Sequence, residues 1–299
     1  MSVIVTKPGD IDTLNVLVTG SRGRIGRYVV RDLVDAGHDV THIDLESATD
    51  NTGRYLRVDL RDVGGLYQTL AMAKPQAVIH LGAWANPGLV ADTQTYGDNV
   101  QGTFNLFQAC ADLGINRIIS ASSAQVYGLA QLPPLYLPLD EAHPLRPLNC
   151  YALSKMAGEA AADYFVANRQ MTILSFRFMG VRTPAEIHQH IELADKNPGA
   201  DKALLWTRTD ARDAAAACRL AIEQKQIAPG AYNITGARVV LAEPTAELVK
   251  RYLDRQVDIR SPLAQHESPV SCARAAEAFG YRPRYTWSVT DPQPESVSR

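Results

Sequence analysis

Tyr151 and Lys155, the two ends of the run YALSK, stand four residues apart, so a helix there places both on one face. An ammonium beside a phenol stabilises the phenolate, which predicts a lowered pKa for Tyr151 and makes it a candidate general base near neutral pH. Ser123 closes the run NRIISASS (116–123), which reads as a strand. A hydroxyl at the carboxyl end of a strand in a doubly wound sheet stands where ligands collect, and could orient a substrate oxygen beside Tyr151. The chemistry these three residue types suggest is removal of a proton from a substrate hydroxyl.

A base of this kind works beside a hydride acceptor, and the first part of the chain carries a pattern able to hold one. LNVLVTGSRGRIG (14–26) passes from an apolar alternation (Leu14, Val16, Val18) to Gly20, Gly23 and Gly26. A helical pattern follows, Ile25 to Ala36, and Gly37 ends it. Strand, tight turn and helix in that order bring free amide N–H groups and a positive helix end to a pyrophosphate. The next strand, HDVTHIDL, has Asp44 at its carboxyl end, roughly the twenty residues downstream at which an acid bonds the ribose hydroxyls. Asp44 would repel a 2′-phosphate, which favours NAD over NADP. Arg22 and Arg24 weaken that preference, because a guanidinium could pair with phosphate; read otherwise they are solvated loop charges.

The rest of the chain supplies the frame. YLRVDL (55–60) is an expected strand, 62–73 a helix, QAVIHLGA (76–83) a strand buried on both faces, and 95–113 a long helix before the strand at 116–123. The sum is an α/β fold with a doubly wound parallel sheet, the Rossmann arrangement. Five prolines (133, 134, 138, 144 and 147) fix an extended loop. A helix then runs from Tyr151 to about 168, and TILSFRF (172–178) is a strand. Beyond 180 the expected elements are a helix at 185–195, a strand KALLWTR (202–208), a helix at 210–224, a strand AYNIT (231–235) and a helix at 243–254. The expected division is an NAD-binding Rossmann domain over 1–180 and a small substrate-binding lobe over 181–299, from which segments could return to the sheet. Residues 1–13 and the tail 290–299 are expected to be irregular.

Composition sets limits. At 299 residues and 46% hydrophobic, the chain can bury one large core or two modest ones. A formal charge of -2 provides no basic field for nucleic acid and no polybasic membrane patch. No charged and apolar leader opens the chain and no window approaches the ~18 uninterrupted apolar residues of a span, so the expectation is a cytoplasmic protein without a membrane partner. Cys110, Cys150, Cys218 and Cys272 show no CxxC spacing and read as reduced, mostly buried thiols. His188 and His190 form an HxH pair without a neighbouring carboxylate or cysteine cluster, so no metal is expected and a solvated helix face is the reading.

Taken together these runs resemble the extended short-chain dehydrogenase/reductases, the NAD-dependent epimerase/dehydratase family. The resemblance extends over most of the chain: TGSRGRIG (19–26), VDLRD (58–62), HLGA (80–83), NVQGT (99–103), SASSAQVYG (120–128), YALSK (151–155), TDARDAA (209–215), AYNIT and EAFGYRP (277–283). It implies dinucleotide contacts from Gly20, Arg22, Gly23, Arg24, Ile25 and Gly26 at the pyrophosphate and from Asp44 at the adenosine ribose. Asp59 and Leu60 would meet the adenine, and Leu81, Gly82, Ala83 and Asn99 would line the same site. Tyr151 would be the acid/base, Lys155 would also hold the nicotinamide ribose, and Ser123 would orient the substrate. A homodimer built on the helices 95–113 and 151–168 is implied in the same way.

Departures from the family pattern bear on the reaction. Ala124 and Gln125 stand where dehydratases of the family carry an Asp-Glu pair, which disfavours dehydration. Gly180 and Thr183 replace the asparagine and glycine of RxxNxxGP, removing one anchor for a nucleotide sugar, and Arg177, Arg182 or Arg208 could bind a carboxylate or phosphate instead. The expectation is an NAD-dependent oxidoreductase acting on a secondary hydroxyl of a sugar, sugar acid or related small polyol. Its alternatives are a nucleotide-sugar 4-epimerase, of the kind acting on UDP-glucose, and a non-catalytic dinucleotide-sensing protein.

Overall fold

The computed structural model describes residues 13–47, 52–253 and 257–289. The tail at 290–299 and all but the last residue of the irregular arm expected at 1–13 lie outside them. β1 (Asn15–Thr19), β2 (Asp39–Asp44), β3 (Arg54–Arg57), β4 (Ala77–His80) and β5 (Arg117–Ser123) form the first part of the sheet. α1 (Gly26–Asp35) and α3 (Asp92–Asp112) cross over between parallel neighbours, while α2 (Val63–Ala73) carries the chain from β3 back past β2 and β1 to β4. β6 (Tyr136–Leu137) is a two-residue strand inside the proline-rich segment. α4 (Cys150–Arg169), β7 (Thr172–Phe178), α5 (Ile187–Lys196), α6 (Pro198–Asp201), α7 (Ala211–Glu223), β8 (Gly230–Ile234), α8 (Thr245–Tyr252), β9 (Asp258–Ile259) and α9 (Ala273–Phe279) complete the order.

The main sheet is seven-stranded and wholly parallel, in the order β3-β2-β1-β4-β5-β7-β8. The strand order reverses between β1 and β4, so a crevice opens at the carboxyl ends of those strands. Val16, Val18, Ile79 and Leu174 are buried with α1 and α7 on one face, and Leu17, Val78 and Ile118 with α2, α3 and α4 on the other. Burial on both faces explains why β4 reads as a nearly continuous apolar run. A third core, around Val126, Trp206, Val239 and Leu248, sits under α5 and α8. β8 and α7, both beyond residue 180, belong to the sheet and its covering layer.

Several elements differ from expectation. The strand expected at 55–60 ends at Arg57, because Asp59 and Asp62 fold the chain into a turn and Asp62 then caps α2 by accepting from Gly65 N. KALLWTR is not a strand: Lys202–Leu204 is a 3-10 turn, and Leu205 and Trp206 follow with φ of 47° and 54°. An extended chain would send those two adjacent side chains to opposite faces, whereas both are fully buried in the third core, with Trp206 Nε1 donating to Pro198 O at 2.8 Å. Two of the cysteines, Cys110 and Cys218, are buried, while Cys150 and Cys272 are half-buried. His188 does not face solvent freely but packs edge-on against Trp287, with centroids 5.2 Å apart. Among the described residues there is no group of three or more metal-ligating side chains, and no helix is long and apolar enough to cross a membrane.

Candidate active site

α4 starts at the mouth of the crevice because Asn149 caps it, accepting from Ala152 N at 2.8 Å, and Asn149 Nδ2 donates to Gln125 Oε1 in the turn after β5. This fixes the first turn of α4 against the end of β5 and brings Tyr151, Lys155 and Ser123 together. Lys155 Nζ donates to Ala121 O at 2.8 Å and lies 5.7 Å from the centre of the Tyr151 ring. All three side chains are buried.

Burial, not the ammonium, dominates the phenol. Desolvation pushes Tyr151 up to about 12, and a hydrogen bond with Ser123 pulls it partly back. Desolvation also brings Lys155 down to about 8. The lowered phenol pKa expected from the Tyr-Lys spacing is therefore not found in the protein by itself, because two groups buried side by side each favour the neutral form.

The crevice is a cleft of about 760 Å³, lined by the glycine turn, the ends of β2 and β4, and the Tyr151 end of α4. Gly20 has φ +66°, and a Cβ there would lie 2.5 Å from Gly82 N, so the turn after β1 packs directly on the loop after β4. No side chain caps the N-terminus of α1, whose first residues face the cleft. An uncapped helix end beside a glycine turn is a fit for a pyrophosphate, and Asp44 stands at the end of β2 as expected for the ribose. Its carboxylate also braces the turn, accepting from Arg22 N at 2.8 Å and from Leu45 N at 2.7 Å.

The remaining expected contacts divide. Leu60, Leu81, Gly82 and Ala83 line the cleft, as does Asp59, whose carboxylate is paired by Arg61 and held low by it. Leu60 wedges between Gly82 and Gly102, where added Cβ atoms would come within 2.8 and 2.9 Å of it. Asn99 spends its amide on the protein, accepting from Trp84 N and donating to Trp84 O and Ser154 Oγ. Arg24 is an exposed loop charge that makes a bidentate pair with Glu186 across the cleft, a partner the sequence did not suggest. Sequence reading also missed Trp84, anchored by Asp98, and Glu159, although its four-residue spacing from Lys155 was visible.

The three arginines offered for a substrate anion separate as well. Arg177 is a buried ion pair with Glu159, at 2.9 and 2.7 Å, and Arg208 pairs with Asp201. Arg182 alone of the three lines the cleft. Its Nη1 donates only to its own neighbour Val181 O, and its buried Nε has no partner. Burial first, then the nearby charges of Arg208 and Arg24, bring its guanidinium down to about 10. Glu186 and Asp201, the partners of those two arginines, lie near enough to offset part of this, and Arg182 keeps an unpaired donor on the cleft wall.

Comparison with known proteins places this geometry. The UDP-glucose 4-epimerase of Lactobacillus helveticus is 33% identical over 156 residues, 49% of this chain and 45% of that protein. An L-arabinose 1-dehydrogenase (NAD(P)(+)) of Haloferax volcanii is 31% identical over 186 residues, 59% of this chain and 71% of that protein. The aligned region covers about half the length of the UDP-glucose 4-epimerases it is similar to. A crystal structure of a short-chain dehydrogenase/reductase superfamily protein from Agrobacterium tumefaciens, with bound NAD, superposes with a TM-score of 0.69 at 25% identity, over 91% of this chain and 93% of that one. The sequence profile of one family matches residues 16–235, most of the chain and all of the cleft up to β8, and by that match the chain belongs to the NAD dependent epimerase/dehydratase family.

Proposed function

We propose that this protein is an NAD-dependent oxidoreductase that oxidises a secondary hydroxyl of a small sugar or sugar acid, with Tyr151 as general base. The observation that carries the reading is that Tyr151 and Ser123 together form the inner wall of the same cleft whose other end is the glycine turn. In this reading Gly20, Gly23 and Gly26 admit the pyrophosphate, Asp44 holds the adenosine ribose, and Leu60 and Ala83 flank the adenine half. When bound there, an oxidised nicotinamide supplies a hydride acceptor and a positive charge near the phenol. Tyr151 takes the hydroxyl proton, Ser123 orients the same oxygen, and Lys155 steadies the phenolate. Asn99 shapes the wall through Trp84 and Ser154.

Assay with NAD and a panel of free sugars, uronic acids and nucleotide sugars tests the reading: net absorbance at 340 nm is expected with at least one free sugar or sugar acid. Conversion of a nucleotide sugar with no net signal would favour a 4-epimerase, the activity named for several relatives. Gly180, where nucleotide-sugar enzymes of the family carry asparagine, weighs against that alternative.

Arg182 is the proposed anchor for a substrate carboxylate. Loss of a charge-assisted hydrogen bond costs about 1.5–3 kcal/mol, so Arg182→Gln should raise KM for an acid substrate about tenfold to a hundredfold while KM for a neutral sugar stays near its wild-type value. An equal loss on both substrates would remove the role.

A homodimer is the proposed assembly. α3 and α4 pack together and leave Phe104, Leu153 and Tyr164 exposed. Light scattering is expected to give twice the chain mass of 32.6 kDa, and Phe104→Glu with Tyr164→Glu is expected to halve it. The free thiols favour a reducing, cytoplasmic setting.

A further inference from the structure

Arg24 stands inside the glycine turn and lines the cleft, and its guanidinium reaches Glu186, 162 residues further on, in the segment whose Arg182 also lines the cleft. Nε donates to Glu186 Oε2 at 3.0 Å and Nη2 to Oε1 at 3.0 Å. Both side chains rise from anchored turns. On one side Gly23 N donates to Gly20 O at 3.1 Å and Arg27 N to Gly23 O at 3.3 Å. On the other, Thr183 donates to Glu186 Oε2 through its N and through its hydroxyl, each at 2.9 Å, just ahead of α5. Burial works to raise the Glu186 carboxyl, but the bonds from Arg24 and Thr183 outweigh it and hold it at about 2, so the pair is charged throughout the neutral range.

We propose that the Arg24–Glu186 pair is a clasp across the cleft that must part for a dinucleotide to enter and to leave. The turns beneath it are fixed, so the side chains are what can give. They are 40% and 35% exposed, and a pair that open to solvent is weak enough to break and re-form between turnovers. The segment that carries Glu186 also carries Arg182, the proposed substrate anchor, so one clasp serves both ends of the cleft. The proposal rests on the dinucleotide reading of the cleft and holds for a dehydrogenase or an epimerase alike.

Charge alone predicts the reverse effect. Glu186 is a negative group bonded to the glycine turn, so its removal lessens repulsion of a pyrophosphate there, which speeds entry and slows release. A clasp requires release to become faster. In a third arrangement the pyrophosphate takes Arg24 away from Glu186, so no clasp holds the bound state. Removing Glu186 then tightens binding and does not speed release.

Release of NADH in the absence of substrate separates these cases, read in a stopped-flow instrument as the fluorescence change when bound NADH is chased with excess NAD. Glu186→Gln keeps an oxygen able to accept from Thr183 and removes the charge, while Arg24→Gln removes the other half of the pair. Each is expected to release NADH about two- to fivefold faster than wild type, the range a single exposed pair supports. The double variant is expected to be no faster than Arg24→Gln, because both changes cut one bond. Glu186→Asp keeps the charge but shortens the reach by one methylene, and is expected to speed release as well. Should Glu186→Gln not fold, Glu186→Asp decides. Unchanged or slower release in the Glu186 variants overturns the proposal, as does a double variant whose rate is the product of the two single effects. If the wild-type protein binds no NADH, the dinucleotide reading itself fails and the clasp falls with it, a result distinct from bound NADH whose release ignores Glu186.

Discussion

Tyr151→Phe should lower turnover by about 10² to 10⁴ while leaving NAD affinity within about twofold of wild type, the range expected when a single positioned acid/base is removed. The substitution deletes one oxygen from a buried ring and leaves the first turn of α4 in place, since that turn is set by the Asn149 cap. Steady-state formation of reduced NAD, together with a fluorescence titration of the cofactor, separates the two effects. The pH dependence follows in sign from the burial of the phenol. A base held protonated up to about 12 is more active the higher the pH, so wild-type kcat/KM should climb through the neutral range, and Tyr151→Phe should flatten that slope. Near-normal turnover in the variant would remove the mechanism.

Gly26→Ala should weaken NAD binding by about a hundredfold or more. A Cβ at Gly26 would lie 2.1 Å from Gly20 O and 2.7 Å from Ser21 Cα, both backbone atoms, so the turn must open. Two amide-to-phosphate bonds lost at about 1.5–3 kcal/mol each account for that magnitude. The control is Gly97→Ala on the exposed side of α3, where an added Cβ meets nothing within 4 Å. It should leave NAD binding unchanged and raise stability slightly, by up to about 1 kcal/mol. Calorimetric titration of NAD into the three proteins reads both results, and equal affinity in Gly26→Ala would show that the turn does not carry the dinucleotide.

The parts of the site legible in the sequence are those fixed by local geometry. Gly20 and Gly26 announced the turn because close backbone approach there leaves no room for a side chain, and Tyr151 with Lys155 announced a shared helix face because four residues make one turn. β4 was readable because burial on both faces makes the run around it almost wholly apolar, and β1 because apolar residues alternate into the glycine turn. What the sequence did not reveal depends on partners distant in the chain. Arg24 finds Glu186 across 162 positions, and Arg182 keeps a buried Nε without a partner although Arg208 beside it is paired with Asp201. The phenol pKa also escaped, since spacing shows which charge is near but not how deeply both groups are buried. Leu205 and Trp206 misled for a related reason: an apolar run reads as a strand, while a left-handed turn buried in the third core satisfies the same residues.

The central claim is that hydride leaves the substrate for good while its hydroxyl proton goes to Tyr151. Mass spectrometry of the dinucleotide after turnover of a sugar or sugar acid deuterated at the reacting carbon tests it most directly. One deuterium is expected on the reduced nicotinamide and none at that carbon of the product. Deuterium retained in a product of inverted configuration, with the dinucleotide unlabelled, would contradict it.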